Sequence, residues 1–191
     1  MTVLAPPRHP LVDAALTDAK LWCAGRVIDD RPALAHAARV AVTIGRHQPH
    51  AAPDIIAAAL VHDAPEFASP ADLDRYLPAR FGTEVHRLVR AMQAEHDALD
   101  RGQPVIPDPA DQAVMLLSTS DKVVALTSLL RRARLSGSVT GFFAARQPLL
   151  ALLDHFRACQ LVALDAVPDS LSAALARVLD ALDVATAPVR R

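Results

Sequence analysis

Residues 53 to 61, Pro-Asp-Ile-Ile-Ala-Ala-Ala-Leu-Val, run without a break into His62 and Asp63. Proline and aspartate at the front are a helix start, and Ile55, Ile56, Ala59 and Leu60 leave the helix apolar nearly all round. Such a helix has no face to offer water, so it must stand at the centre of a packed fold. The two ionisable side chains at its end are carried inward with it, which is costly unless they pair or bind a metal.

The rest of the chain supplies helices to pack around it. Of 191 residues, 38 are alanine and 6 glycine, a helix-forming composition that excludes an all-β fold. Apolar periodicity with start and stop signals predicts helices over about residues 9–24, stopped by Gly25, and 31–46, with Pro32 in its first turn and Leu34, Ala37, Ala41 and Ile44 on one face. The central helix follows, then a short one opened by Ser69, Pro70 and Asp72 and ending near Pro78. Thr83 caps another, with Val85, Leu88, Val89 and Met92 on its buried stripe, and Asp108, Pro109 and Asp111 open one running to about Leu135. Two last segments, 142–166 interrupted by Pro148 and 170–186, finish the chain. Residues 101–109, with three prolines, read as a loop. There is no internal repeat and no long linker, so the expectation is a single all-α domain over 1–191. It would be a bundle of seven or eight helices with its core over about 9–135 and C-terminal helices over about 142–186.

Charge narrows the function classes. Twenty bases against 21 acids give a net charge of −1, no field for neutralising a nucleic-acid backbone. No apolar run reaches the ~18 residues of a membrane span, and Met1 to Pro10 lacks the pattern of a signal peptide. Cys23 and Cys159 form neither a disulfide framework nor a Cys-rich zinc site. A cytoplasmic protein with no nucleic-acid or membrane partner is expected; the Leu-rich C-terminal helices are a candidate homo-oligomer interface. The acids are 18 Asp and only 3 Glu, the bases 18 Arg and only 2 Lys. A GC-rich coding sequence accounts for that bias, and against it a glutamate or lysine in a chemically sensible place stands out.

His62–Asp63 is one of two His-Asp dipeptides, and about one is expected by chance from eight His and 18 Asp. The other, His96–Asp97, sits among Gln93, Ala94 and Glu95 on the polar side of an amphipathic helix and reads as solvated surface. His36, flanked by Leu34, Ala35, Ala37 and Ala38, and Asp121, after the run Ala113 to Leu117, are further polar residues in buried-looking helices. Two imidazoles and two carboxylates from three helices make a mixed N/O site suited to Mn²⁺, Fe²⁺ or Zn²⁺, with positions left for water and substrate. Glu66 follows His62 by four residues and Asp63 by three, so on a continuing helical turn it projects to the same side and can serve a water. His47 and His50 around Pro49 read as a surface loop, and His86 and His155 as surface or part-buried positions. Arg131, Arg132 and Arg134 complement a helix C-terminus, and Trp22 and Cys23 read as core.

In order and spacing, His36, His62–Asp63 and Asp121 resemble the H…HD…D pattern of the HD superfamily of metal-dependent phosphohydrolases. Within it the closer resemblance is to the hydrolase domain of RelA/SpoT proteins and to small stand-alone SpoT homologues, over about residues 14–132. His36-Ala-Ala-Arg-Val40-Ala is similar to that family's His-Pro-x-x-Val-Ala, and Ala58-Ala-Leu-Val-His62-Asp63-Ala-Pro-Glu66 to its Ala-Leu-Leu-His-Asp-x-Val-Glu. Phe81-Gly-Thr-Glu-Val-His-Arg-Leu-Val89 resembles its Phe-Gly-x-x-Val segment ending in Leu-Val, and Ser120-Asp121-Lys122 its Ala-Asp-Lys.

The resemblance implies an HD-domain-like bundle that hydrolyses the 3′-pyrophosphate of guanosine 3′,5′-bis(diphosphate), ppGpp. The divalent metal would be Mn²⁺ first, with Fe²⁺, Co²⁺ or Zn²⁺ as alternatives, held by His36, His62, Asp63 and Asp121. It makes Glu66 and Asp63 the catalytic carboxylates, Glu66 serving the attacking water, and Arg26 and Lys122 the substrate-binding cations. Three positions depart: Phe67 stands where the family has an Asp after Glu66, Ala125 where it has an Asn, and Ala37 where it has a Pro. His-Asp-x-x-Glu without a following Asp also resembles the HD nucleoside 5′-monophosphatases, which stands as the alternative. A metal- and nucleotide-binding sensor without catalysis is a third reading.

Overall fold

His9 opens α1 (Pro10–Trp22) by accepting the Leu11 N–H at Nδ1, 3.2 Å away, and Gly25, at φ +68°, supplies the left-handed turn that ends it. A two-stranded antiparallel pair, β1 (Val27–Ile28) and β2 (Arg31–Pro32), leads into α2 (Ala33–His47). The computed structural model describes residues 3–28 and 31–190, and it divides into two compact units, Met1–Gln103 and Pro104–Arg191. The division falls inside the proline-containing loop that the sequence predicts.

In the first unit α3 (Pro53–Val61) packs against α1, α2 and α5. Ala57, Ala58 and Ala59 are wholly buried and Leu60 nearly so, as its all-round apolar character predicts. The helix stops at Val61, and a 3₁₀ turn, Ala64–Glu66, carries the chain on. Ser69 caps α4 (Pro70–Phe81) by accepting the Asp72 N–H. The helix does not stop near Pro78 but runs on to Phe81, since a proline in the last turn forfeits one hydrogen bond and leaves its own carbonyl to accept the Gly82 N–H at 3.1 Å. Gly82, at φ +92°, then turns the chain into α5 (Thr83–Asp100), so Thr83 is the first helical residue and not the cap. Across the unit, the buried Asp18 of α1 accepts from Tyr76 Oη (2.8 Å) and Arg80 Nε (3.2 Å) of α4. Burial, then this bond to Asp18, pushes the Tyr76 phenol above its ordinary value.

In the second unit Asp111 caps α6 (Gln112–Leu135), accepting the Val114 N–H at 3.1 Å. One 18-residue window of α6 has a mean hydropathy of 1.4 and few charges, so the helix is long and apolar enough to cross a membrane by those two measures, although 83 % of the window is buried inside the fold. The predicted helix 142–166 is three: α7 (Val139–Ala144), α8 (Gln147–Ala151), with Pro148 in its first turn, and α9 (Leu153–Ala166). With α10 (Asp169–Thr186), ten α-helices stand among the described residues, against seven or eight expected. The extra ones arise because Pro148 starts a helix instead of interrupting one. Arg157 of α9 binds Asp180 (2.6 Å) and Asp183 (2.5 Å) of α10, and Arg190 also donates to Asp183 (2.7 Å).

Candidate metal centre

The buried face of α2 is Ala33, His36, Ala37, Val40, Ala41 and Ile44, so His36 lies on the row of positions 36, 40 and 44 that faces the interior. His62, at the end of α3, is 1 % exposed and Asp63 is 5 %. The two imidazole centroids are 5.4 Å apart with planes tilted by 53°, and one ring nitrogen of each lies within 4.8 Å of the other.

The tautomer of His62 is set by its own helix. Nδ1 stands 2.9 Å from the Ala59 carbonyl, and since a carbonyl can only accept, Nδ1 carries the proton and donates it. In the neutral ring Nε2 is then a lone pair. That lone pair faces Asp63 Oδ1 at 3.3 Å, and Asp63 Oδ2 is buried with no hydrogen-bond partner among the described residues. Two acceptors this close in a dry interior repel each other unless a cation stands with them, either a proton on Nε2 or a metal ion. Atoms bound about 2.1 Å from a common ion stand roughly 3.0–3.4 Å apart, which is the spacing of this pair. The Nδ1 bond to a carbonyl is also the usual outer partner of a metal-bound histidine.

A third imidazole belongs to this neighbourhood. His96 of α5 is half-buried, its ring centroid 6.0 Å from that of His62 in an edge-to-face arrangement. Glu95 is 3 % exposed, so the sequence reading of residues 93–97 as a polar side is corrected. The signal was present: the stripe Val85, Leu88, Met92 continues at Glu95 and Ala98, and His96 flanks it. Asp97 is exposed, as expected.

Glu66 is exposed on the 3₁₀ turn, its N–H bonded to the Asp63 carbonyl at 3.0 Å. With three residues per turn, a 3₁₀ segment aligns position 66 with position 63, where a continuing α-helix would have set it nearer 62. Phe67 follows, and the Arg26 guanidinium carbon lies 5.6 Å from the centroid of its ring. Cys23, 8 % exposed, has its thiol pushed up to about 11 by burial and then by the Asp63 charge. It is therefore a protonated thiol near neutral pH and no thiolate ligand. The next residue after Phe67, Ala68, lines an apolar surface cleft of about 370 Å³ with Trp22, Leu73 and Tyr76. Its charged residues are Asp72 and Arg75, which pair with each other at 3.3 Å.

Asp121 and Lys122 stand together in the second unit, buried at mid-length in α6. The Lys122 ammonium donates to Ser118 Oγ one turn earlier at 2.8 Å. Of the sequence-predicted site residues, the structure thus brings His36, His62 and Asp63 together inside the first unit, with Glu66 one 3₁₀ turn on and Arg26 against Phe67. No family model matches this chain, and no curated protein is similar to it at a meaningful level.

Proposed function

We propose that the chain is a metal-dependent phosphohydrolase of nucleotides, its leading substrate ppGpp, cleaved at the 3′-pyrophosphate. The observation that carries this reading is the buried His62 Nε2 facing Asp63 Oδ1 at 3.3 Å beside a second imidazole, a donor set suited to a divalent metal. His36, His62 and Asp63 hold the ion, and Asp121 of α6 is the carboxylate that the reading takes from the second unit. Two nitrogens and two oxygens favour Mn²⁺, with Fe²⁺, Co²⁺ or Zn²⁺ as alternatives.

When bound, the ion supplies Lewis-acid polarisation of a phosphoryl oxygen and acidifies a water. Glu66, exposed and bonded to nothing through its side chain among the described residues, accepts the proton of the attacking water at its carboxylate. Arg26 and Lys122 balance the substrate's negative charge. Asp63 carries a structural cost, since its second oxygen is buried with no hydrogen-bond partner among the described residues. The protein would work in the cytoplasm on a small nucleotide, with neither nucleic acid nor membrane as partner.

The deciding experiment screens ppGpp and deoxynucleoside 5′-monophosphates with Mn²⁺, Co²⁺ and Mg²⁺ and identifies the products. Pyrophosphate from ppGpp is the expected product; inorganic phosphate from the monophosphates selects the 5′-monophosphatase alternative. Activity unchanged by His62→Ala or Asp121→Ala overturns the metal mechanism. Phe67 and Ala125, standing where the resembling family has an acid and an amide, favour a sensor as second reading. Nucleotide-raised melting temperature without product release would select it.

A further inference from the structure

We propose that His155 and Cys159 of α9 form a second metal site, an imidazole and thiolate pair that takes a borderline-soft divalent cation of the Zn²⁺ class. The pair lies in the second unit and shares no residue with the proposed phosphohydrolase centre, so it stands whether or not the chain is such an enzyme. Four residues apart on one helix, the two side chains are neighbours on one face. Cys159 Sγ is 3.4 Å from His155 Nε2, so either the thiol donates to the ring nitrogen or the ring N–H donates to sulfur.

The same spacing suits a chelate. A zinc ion holds sulfur at about 2.3 Å and imidazole nitrogen at about 2.1 Å, which at a tetrahedral angle leaves the two donors roughly 3.5 Å apart. The helix already presents them at that separation. Burial sets the ion's surroundings: Cys159 is 4 % exposed and belongs to the inward row Phe156, Cys159 and Ala163, whereas His155 is half-buried. An ion between them has the core behind its sulfur and open water beyond its imidazole, and water fills the two remaining positions. On binding, the Cys159 S–H bond breaks, a metal–sulfur bond forms, the proton leaves to solvent, and the ring nitrogen gives its lone pair. No electron is transferred.

Donor type then sets the preference. Thiolate with imidazole selects Zn²⁺ and its heavier congeners over Mn²⁺ and Mg²⁺, the reverse of what the carboxylate-containing set of the first unit favours. Cys23, the chain's other cysteine, is an internal control, since its thiol is held protonated by burial and by Asp63. An ion held by positions 155 and 159 clips one turn of α9, the helix that packs on both α6 and α10.

The test titrates the reduced full chain with Cd²⁺ and follows the ultraviolet charge-transfer band of a cadmium–thiolate bond, which carboxylate and imidazole ligands do not give. The band is expected to saturate at one thiolate per chain, to be displaced by Zn²⁺, and to persist in excess Mn²⁺ or Mg²⁺. Cys159→Ala should abolish it and Cys23→Ala should leave it. His155→Gln, at a half-buried position, keeps the sulfur and should weaken Cd²⁺ binding by at least about tenfold, the lower end of what even an outer partner of a metal site is worth. That variant decides the matter even if Cys159→Ala does not fold. Absence of the band in the unmodified chain overturns the site. So does a band that survives Cys159→Ala or disappears with Cys23→Ala, and so does an affinity that His155→Gln leaves unchanged, which would mean binding by sulfur alone. His62→Ala serves to separate the two readings: loss of the phosphohydrolase centre should leave the cadmium–thiolate band as it was.

Discussion

The chain contains the same dipeptide twice, and the two copies meet opposite fates. His62 and Asp63 are both buried, their side chains 3.3 Å apart. His96 turns inward beside His62 while Asp97 faces water. The cause is position within the helix. Residues 96 and 97 lie inside α5, where neighbours diverge by about 100° around the axis and cannot share a face. Residues 62 and 63 lie past the end of α3, with Asp63 at φ −84°, ψ 1°, outside the helical repeat, so both side chains can turn the same way. A helix end is where adjacent residues can become one ligand pair.

Neutralising the two aspartates separately is the strongest way to break this comparison. Asp63→Asn should weaken Mn²⁺ binding by more than about 100-fold, beyond the range of an outer-shell loss, whereas Asp97→Asn should leave it within twofold; calorimetric titration of metal into apo-protein reads both. If the two variants behave alike, the centre is misplaced. His96→Ala is expected to fall between them, at about tenfold, because its ring abuts a ligand.

A smaller effect separates buried acids that are satisfied from one that is not. Asp18 receives hydrogen bonds from Tyr76 and Arg80, so Asp18→Ala should cost about 1–3 kcal/mol in urea unfolding. Asp63→Asn should leave the metal-free protein at least as stable as wild type, since it removes a buried charge whose second oxygen bonds nothing. A large loss on Asp63→Asn would mean that a protonated His62 is its native partner.

The smallest effect is read at Cys23. Its folded-state pKa is raised from 9.0 to about 11, so the stability it contributes is whole below pH 9 and is lost as pH rises through about 11. Asp63→Asn removes the lesser of its two causes and should shift the pH profile of its alkylation downward, while Asp97→Asn should not move it.

How much of this was legible in the residues depends on what fixed each feature. The burial of α3 was, because nothing polar interrupts Ile55 to Val61. So was the inward turn of His36 and His62. The 3₁₀ turn at Ala64–Glu66 was not, since Pro65 is compatible with the first turn of a new helix as well as with a bend, and the choice is made by packing. Glu95 and His96 read as surface because their neighbours Gln93, Ala94 and Asp97 are polar or small and mask the i+3 and i+4 continuation from Met92. The Arg26–Phe67 contact joins positions 41 apart and left no periodic trace at all.

The three wholly buried alanines of α3 make that helix a thin spindle, and its neighbours α1, α2 and α5 close in on methyl groups. Room for larger side chains is absent there, so substitutions such as Ala58→Leu would push those helices outward. His36 and His96 ride on two of them. In a mutational survey of this protein, some of the positions most damaging to the imidazole cluster should therefore be residues with no chemistry of their own.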